Sequence, residues 1–133
     1  MPRTTRLLNV FAGGTIGTLV RAAILNVSDL HVSGHFSLST LPLSLITINT
    51  LGVFAATWLL VGPFAAPTRQ HARLFVVTGL LGGLTSYSSL VADGASVYRQ
   101  SLGAYLVVVG VAVASAIVAA ISGRALAMRG SAR

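Results

Sequence analysis

Four long apolar runs dominate the chain and restrict what it can fold into. They cover approximately residues 7–25, 43–64, 74–98 and 104–128, and short connections separate them. Each run is close to the roughly 20 residues that an α-helix needs to cross a bilayer. Only 8% of the residues are charged, against about 25% in an average soluble domain. The sequence therefore predicts an all-α membrane protein, a single domain over residues 1–133 with four transmembrane helices.

The charged residues are almost all arginines, and their positions predict the orientation of the chain. Nine arginines and two aspartates give a net charge of +7. The arginines lie near the ends of the apolar runs, where they meet anionic lipid headgroups, and no basic patch with interleaved aromatics indicates a nucleic-acid partner. If the N-terminus is cytoplasmic, Arg21 and Arg99 lie outside and the other seven lie inside. The positive-inside rule then predicts a multi-pass protein of the cell membrane with both termini in the cytoplasm.

The apolar runs lack the residues that most enzymes and many transporters need. The chain has no cysteine, and Asp93 falls near the end of the third run, so no carboxylate lies deep in any predicted span. No nucleophile is plausibly paired with a base, which predicts that the protein is not an enzyme. A small four-span drug exporter is disfavoured, because proton-coupled exporters normally exchange their proton at an intramembrane carboxylate.

The third run contains the most unusual stretch, G-L-L-G-G-L-T-S-Y-S-S at Gly79–Ser89. Its adjacent glycines, Gly82 and Gly83, are poor helix formers, and four serine and threonine hydroxyls follow them. One interpretation is a broken helix whose freed backbone groups line a cavity or hold an ion, since unpaired groups are costly in hydrocarbon. The other is close packing of an unbroken helix through Gly79 and Gly83, which form a G-x-x-x-G pair. The residue types alone leave both interpretations open.

Two polar residues in the other runs also allow two interpretations each. Asn49 lies well inside the second run, where its amide either bonds to another helix or turns its NH₂ toward a pore to replace water around an anion. Arg21, near the end of the first run, either extends to the membrane interface or faces an aqueous vestibule and raises the local anion concentration. Gly13 and Gly17 form a second G-x-x-x-G pair, which predicts a close-packed face on the first helix.

Three segments, in this order and at these spacings, resemble the Fluc/CrcB fluoride channel family. They are G-G-x-x-G-x-x-x-R at Gly13–Arg21, N-x-x-G-x-F at Asn49–Phe54 and the glycine-rich segment at Gly79–Leu90. The resemblance implies a passive fluoride-selective channel that lowers cytoplasmic fluoride, built as a dimer of antiparallel subunits with the third helix broken at its centre. It also implies a structural Na⁺ on the dimer axis, held by backbone carbonyls at positions that fall on Gly82 and Thr85.

The resemblance further implies two fluoride pathways along the subunit interface, and the family's pore asparagine falls on Asn49. Fluoride is small and strongly hydrated, so its water must be replaced by donors such as the Asn49 amide and hydroxyls including that of Ser88. Arg21 would lie at the approach to this route. The family's paired pore phenylalanines fall on Tyr87 and Leu90. Tyr87 keeps a ring edge with partial positive charge and adds a hydroxyl, whereas Leu90 has neither.

Leu90 and the uneven arginine distribution both depart from the single-gene members of that family. Those members insert in both orientations, whereas a seven-to-two distribution of arginines should hold nearly every copy of this chain in one orientation. We therefore expect the inverted partner subunit to be a paralogue rather than a second copy of this chain. The alternative is a non-conducting assembly subunit whose partner carries the working pores, and the loss of the aromatic ring at Leu90 favours it.

Overall fold

The computed structural model describes residues 2–29, 43–86, 88 and 101–131, and these ranges are helical with no strand. The helices are α1 (Arg3–Asp29), α2 (Leu43–Val61), α3 (residues 70–84) and α4 (Leu102–Ser131). A 3₁₀ turn at Pro67–Arg69 leads into α3, which is π-helical over Arg73–Leu81 and returns to α-helix for its last three residues. The prediction of an all-α protein is confirmed. Of the predicted third span, Tyr87 and residues 89–98, which include Leu90, lie outside the described residues.

Local sequence explains where α2 ends and α3 begins. α2 ends at Val61, three residues before the end of the apolar run, because Gly62 and Pro63 follow it. Proline has no N–H to continue the ladder and disfavours helical geometry in the residue before it. The Gly62 N–H donates to the Trp58 carbonyl at 2.9 Å, which closes the last turn. The next turn begins with Pro67, a residue well suited to the first position of a helix because no N–H partner is needed there.

The paired glycines of α1 and α3 bring these two helices into backbone contact. A Cβ added to Gly79 would lie 2.9 Å from the Gly13 Cα, and one added to Gly17 would lie 2.9 Å from the Leu84 nitrogen. The Gly83 Cα faces the Gly14 carbonyl in the same way. Later residues of α1 therefore contact later residues of α3, so the two helices run parallel. The close-packed face predicted for the first run is confirmed, and the glycine pair of the third run packs against it.

Small residues also join α2 to α4, which run parallel to each other. The Thr50 hydroxyl donates to the Ser115 hydroxyl at 3.0 Å near the start of this contact. Towards its end, a Cβ added to Gly123 would lie 2.6 Å from the Phe54 carbonyl. The buried apolar core of this contact is small and consists of Leu45, Ile46, Val108 and Ala112.

The helix directions separate the described arginines into two groups. α1 and α3 begin at the same end of the bundle at which α2 and α4 finish. We call this end, which carries Arg3, Arg6, Arg69, Arg73, Arg124 and Arg129, the arginine-rich end. Arg21 and Asp29 belong to the last turns of α1, at the opposite end. The geometry thus groups the described arginines as the positive-inside argument requires, although the side of the membrane that each end faces stays a prediction.

The outer surface of the bundle is apolar and its interior holds a polar amide. Phe11 of α1 is 73% exposed, and long apolar side chains on α4, such as Val118 and Ile121, are also more than half exposed. Asn49 is the buried polar residue in the described ranges. α1 over Arg3–Asn26 and α4 over Leu102–Gly130 are each long and apolar enough to cross a membrane, while the apolar part of α2, Leu45–Val61, is shorter. Exposed apolar surface of this extent is expected against lipid and not against water.

Gly17→Ala should weaken the contact between α1 and α3. The added methyl would meet the Leu80 carbonyl and the Leu84 nitrogen, which are backbone atoms that cannot move aside alone. We expect a loss of about 1–3 kcal/mol in the free energy of unfolding, the usual cost of overpacking. The measurement is thermal unfolding in detergent. Gly110→Ala in α4 is the matched control, because nothing lies within 4 Å of its added Cβ. Equal stability of the two variants would contradict the packing described here.

Candidate functional site

The chain leaves the helical conformation at Thr85, in the middle of the third apolar run. Leu84 is the last helical residue of α3, and Thr85 has φ −85° and ψ 140°, an extended conformation. Both the N–H and the hydroxyl of Thr85 donate to the Leu81 carbonyl, each at 2.9 Å. The end of α3 is therefore capped by a threonine that uses its backbone and side chain on one acceptor.

Asn49 binds the backbone immediately after this helix end. Its Oδ1 accepts a hydrogen bond from the Ser86 N–H at 2.8 Å, and its Nδ2 donates to the Ser86 carbonyl at 3.3 Å. The side-chain amide therefore supplies one donor and one acceptor to the same residue, as the backbone of a neighbouring β-strand would. Asn49 is 7% exposed, and a backbone pair left without partners at such a depth would cost free energy. Of the two interpretations of Asn49, a hydrogen bond to another part of the bundle is observed, and its partner is the backbone that follows α3.

Gly52 allows the extended segment to lie directly on α2. A Cβ at this position would collide with the methyl group of Thr85. Asn49 and Gly52 are three residues apart and so share one face of α2. The N-x-x-G spacing thus supplies a hydrogen-bonding amide and a gap for the threonine methyl on the same helical face. Because Asn49 contacts Ser86 and Gly52 contacts Thr85, α2 runs antiparallel to α3.

The conformation at Thr85 changes the direction and the partners of nearby carbonyl groups. In a continued α-helix, the Ser86 N–H would donate to the Gly82 carbonyl four residues earlier. Here the Ser86 N–H donates to Asn49 Oδ1. With ψ at 140°, the Thr85 carbonyl also turns out of the helical direction. The carbonyls at Gly82 and Thr85 are hard oxygen donors of the kind that bind hard cations.

The described residues contain no group of three or more His, Cys, Asp or Glu side chains that could hold a metal ion. Gly82 is exposed on the surface of α3, and an added Cβ there would have only the Val77 carbonyl within 4 Å, at 3.9 Å. A cation at this position would therefore depend on backbone oxygens. The residue types at Gly82 and Thr85 fit such a donor set.

Two of the residues predicted along an anion route, Asn49 and Ser88, lie at the end of α3. The Ser88 side chain is exposed, and its hydroxyl lies 3.0 Å from that of Ser86. Arg21 is half-buried on α1, one turn beyond Gly17, which contacts Leu84. The described residues include no hydrogen-bond or ion-pair partner for its guanidinium. Tyr87 lies outside the described residues.

A groove with a mostly apolar lining, which sequence reasoning did not single out, lies between α2 and α4. Thr50, Phe54, Ser115 and Ser122 contribute to the wall of a groove of about 520 Å³. The Ser115 hydroxyl donates to the Ala112 carbonyl while accepting from Thr50, so these hydroxyls form a short chain. The sequence contained a signal for it, because Thr50 and Phe54 are four residues apart and share a helical face different from that of Asn49.

Asn49→Ala should destabilise the segment that follows α3. The change removes the two hydrogen bonds that Asn49 makes with the N–H and the carbonyl of Ser86. At about 0.5–1.5 kcal/mol for each hydrogen bond lost, we expect a loss of about 1–3 kcal/mol in unfolding free energy. Amide hydrogen exchange of the peptide containing Ser86 should also become faster.

Thr50→Val is the matched control on the neighbouring position of α2. It removes one hydroxyl, but Ser115 keeps its bond to the Ala112 carbonyl, so the cost should stay below about 1 kcal/mol. Exchange at Ser86 should not change in this variant. Unchanged exchange at Ser86 in Asn49→Ala would contradict the hydrogen-bonded pair.

Comparison with known proteins adds a family assignment to this geometry. The family model described as CrcB-like protein, Camphor Resistance (CrcB), matches residues 8–124. The chain is 36% identical over 121 residues to a Rhodopseudomonas palustris protein named Fluoride-specific ion channel FluC, covering 90% of this chain and 94% of that protein.

Two further relatives carry numbered names. The chain is 38% identical over 88 residues to Fluoride-specific ion channel FluC 1 of Cutibacterium acnes, covering 63% of this chain and 57% of that protein. It is 34% identical over 92 residues to FluC 2 of Leifsonia xyli, covering 65% of this chain and 58% of that protein. These relatives are named as ion channels and not as enzymes. The match over residues 8–124 shows that the chain belongs to the CrcB family.

Proposed function

We propose that this chain is a subunit of a passive fluoride-selective channel that lowers cytoplasmic fluoride. The observation that carries the proposal is the similarity to a fluoride-specific ion channel across 90% of the chain. Passive export is sufficient because hydrogen fluoride crosses membranes, dissociates inside the cell, and leaves an anion that needs a path out. The exporter alternative is not favoured, since the named relatives are ion channels.

The third span is proposed to be a broken helix with a structural Na⁺ at its centre. Support comes from the helix end at Leu84, the extended Thr85, and the Ser86 N–H that bonds to Asn49. We propose that the carbonyls of Gly82 and Thr85 hold the ion. Gly82 is exposed in the single chain, which suits a site completed by a second subunit. When bound, the ion supplies a fixed positive charge near the anion route.

Asn49 is proposed to have a second role as a donor to fluoride. An asparagine amide has two N–H groups, and the bond to the Ser86 carbonyl uses one of them. The hydrogen bonds to Ser86 fix the plane of the amide, and so the direction of the remaining N–H. A donor with a fixed direction replaces water around a small anion at little cost in reorganisation. The Ser88 hydroxyl and Tyr87 are proposed to act with it, and Arg21 to raise the local anion concentration at the opposite end of the bundle.

The working unit is proposed to be an antiparallel dimer with a paralogue. The described arginines concentrate at one end of the bundle, so one orientation should dominate in the membrane. With that end and both termini in the cytoplasm, an inverted partner must come from a chain with the reverse distribution. The numbered names of two relatives, FluC 1 and FluC 2, are in keeping with pairs of such chains. The second candidate function is a non-conducting assembly subunit, favoured by Leu90 in place of an aromatic ring.

Fluoride efflux from liposomes tests the proposal. Vesicles loaded with fluoride should release it when they contain this chain together with its paralogue of reversed arginine bias. Vesicles that contain this chain alone should release little, because its copies share one orientation. Chloride-loaded vesicles are the control and should retain their anion. The absence of fluoride release from the reconstituted pair would contradict the channel function, and rapid release by this chain alone would contradict the paralogue requirement.

Substitution of Tyr87 in the complex distinguishes a conducting subunit from a scaffold. If this chain conducts, Tyr87→Leu should lower fluoride efflux by about tenfold or more, since a hydrogen bond to a charged group contributes about 1.5–3 kcal/mol. Tyr87→Phe separates the two contributions, because it removes the hydroxyl and keeps the ring edge. Efflux that is the same in Tyr87→Leu as in the unmodified complex would support the assembly-subunit alternative.

A further inference from the structure

A cleft lies between the last turns of α2 and α4 at the arginine-rich end of the bundle. Trp58, Leu126, Arg129 and Gly130 line it, and its volume is about 450 Å³. It lies far from the end of α3 and contains none of the residues proposed to bind sodium or fluoride. Its size is within the range of sites that hold small molecules.

Close approach of the two backbones just before the cleft fixes its walls. A Cβ added to Gly123 would lie 3.2 Å from the Trp58 nitrogen, and one added to Gly62 would lie 3.4 Å from the Ala127 Cβ. Ala127 is 3% exposed, so it is part of this tight contact. The neighbouring positions Leu126 and Arg129 then lie on the rim, with Trp58 on the other side. The cleft is therefore held by helix packing and not by flexible loops.

The cleft combines an apolar wall with a cation at its outer edge. Trp58 is 36% exposed and Leu126 is 48% exposed, so both present apolar surface to the surroundings. Arg129 is exposed in the last turn of α4. Of the two acidic side chains, Asp29 belongs to the opposite end of the bundle and Asp93 lies outside the described residues. Positive charge therefore dominates the described part of this end.

We propose that this cleft binds the headgroup of an anionic phospholipid. The Arg129 guanidinium matches a phosphodiester in charge and in its planar set of donors. Tryptophan is favoured at the boundary between headgroups and acyl chains, where the ring is apolar and the indole N–H can donate. The apolar Leu126 surface would contact the first part of an acyl chain. This inference rests on the membrane insertion contained in the proposed function, and not on fluoride conduction.

The chain has a single tryptophan, so Trp58 fluorescence reports on this cleft directly. The full chain is reconstituted in two sets of vesicles, one with brominated phosphatidylglycerol and one with brominated phosphatidylcholine. In both lipids the bromine lies near the glycerol end of the acyl chains. Brominated lipid quenches a tryptophan that it touches. Quenching against lipid composition then gives the relative affinity of the two lipids at the cleft. Inorganic phosphate is added in a separate series to test whether free phosphate is the ligand.

The unmodified chain should prefer the anionic lipid by about fivefold, the factor that corresponds to about 1 kcal/mol for one arginine near an anionic surface. Arg129→Gln should abolish the preference for the anionic lipid, so that the ratio of the two affinities is about 1. Arg129→Lys should keep most of the preference. Arg6→Gln is the matched control, because it removes one charge from the same end but does not line the cleft. It should keep the fivefold preference.

Four results would overturn the proposal. Equal quenching by both lipids would show that the cleft does not select anionic headgroups. An equal loss in Arg6→Gln and Arg129→Gln would assign the preference to the general surface charge. Relief of quenching by inorganic phosphate would assign the site to the free anion. If neither brominated lipid quenches Trp58, membrane insertion itself fails at this end, and that result also contradicts the proposed function, whereas loss of lipid selectivity alone does not.

Discussion

The pair of hydrogen bonds between the Asn49 side chain and the Ser86 peptide group is the interaction on which the candidate site depends. A helix that ends in apolar surroundings leaves backbone groups without partners, and each costs free energy in the absence of water. The Asn49 amide supplies the donor and the acceptor that Ser86 requires. Because it does so from a neighbouring helix, α3 can end at Leu84 without water. A helix end at this position turns backbone carbonyls toward other ligands.

Contacts between the helices hold Asn49 within hydrogen-bonding distance of Ser86. Glycine contacts fix α3 to α1, and small residues fix α2 to α4, so each pair of helices is a parallel unit with close backbone contact. The two units meet where α2 crosses the end of α3, and there Gly52 accepts the Thr85 methyl. The glycines therefore determine the position of the helix end. Asn49 stabilises that end by supplying hydrogen-bond partners to the backbone. Helix packing and the proposed ion site use the same segment of α3.

Several of these features could be predicted from sequence, while the most important contact could not. The third run had two alternative interpretations, a broken helix and a close-packed helix. The structure combines features of both, because Gly79 and Gly83 pack against α1 and the helix ends just after them. Helical periodicity predicts the glycine face, because Gly79 and Gly83 are four residues apart and therefore lie on the same side of the helix. It cannot predict that Asn49 pairs with Ser86, because the partner is a peptide group that every residue possesses. The N-x-x-G spacing indicated a functional face on α2, but it did not identify the group that Asn49 binds.

The central claim is that the backbone at Thr85 is extended when the protein is in a lipid bilayer. The most direct measurement is solid-state NMR of the full chain with ¹³C-labelled threonine in lipid, with Thr85→Ser to assign the signal. The Cα and Cβ chemical shifts of Thr85 should be those of an extended residue, in contrast to Thr50 and Thr57 within α2. Helical chemical shifts at Thr85 would show an uninterrupted helix and would contradict the account of the site.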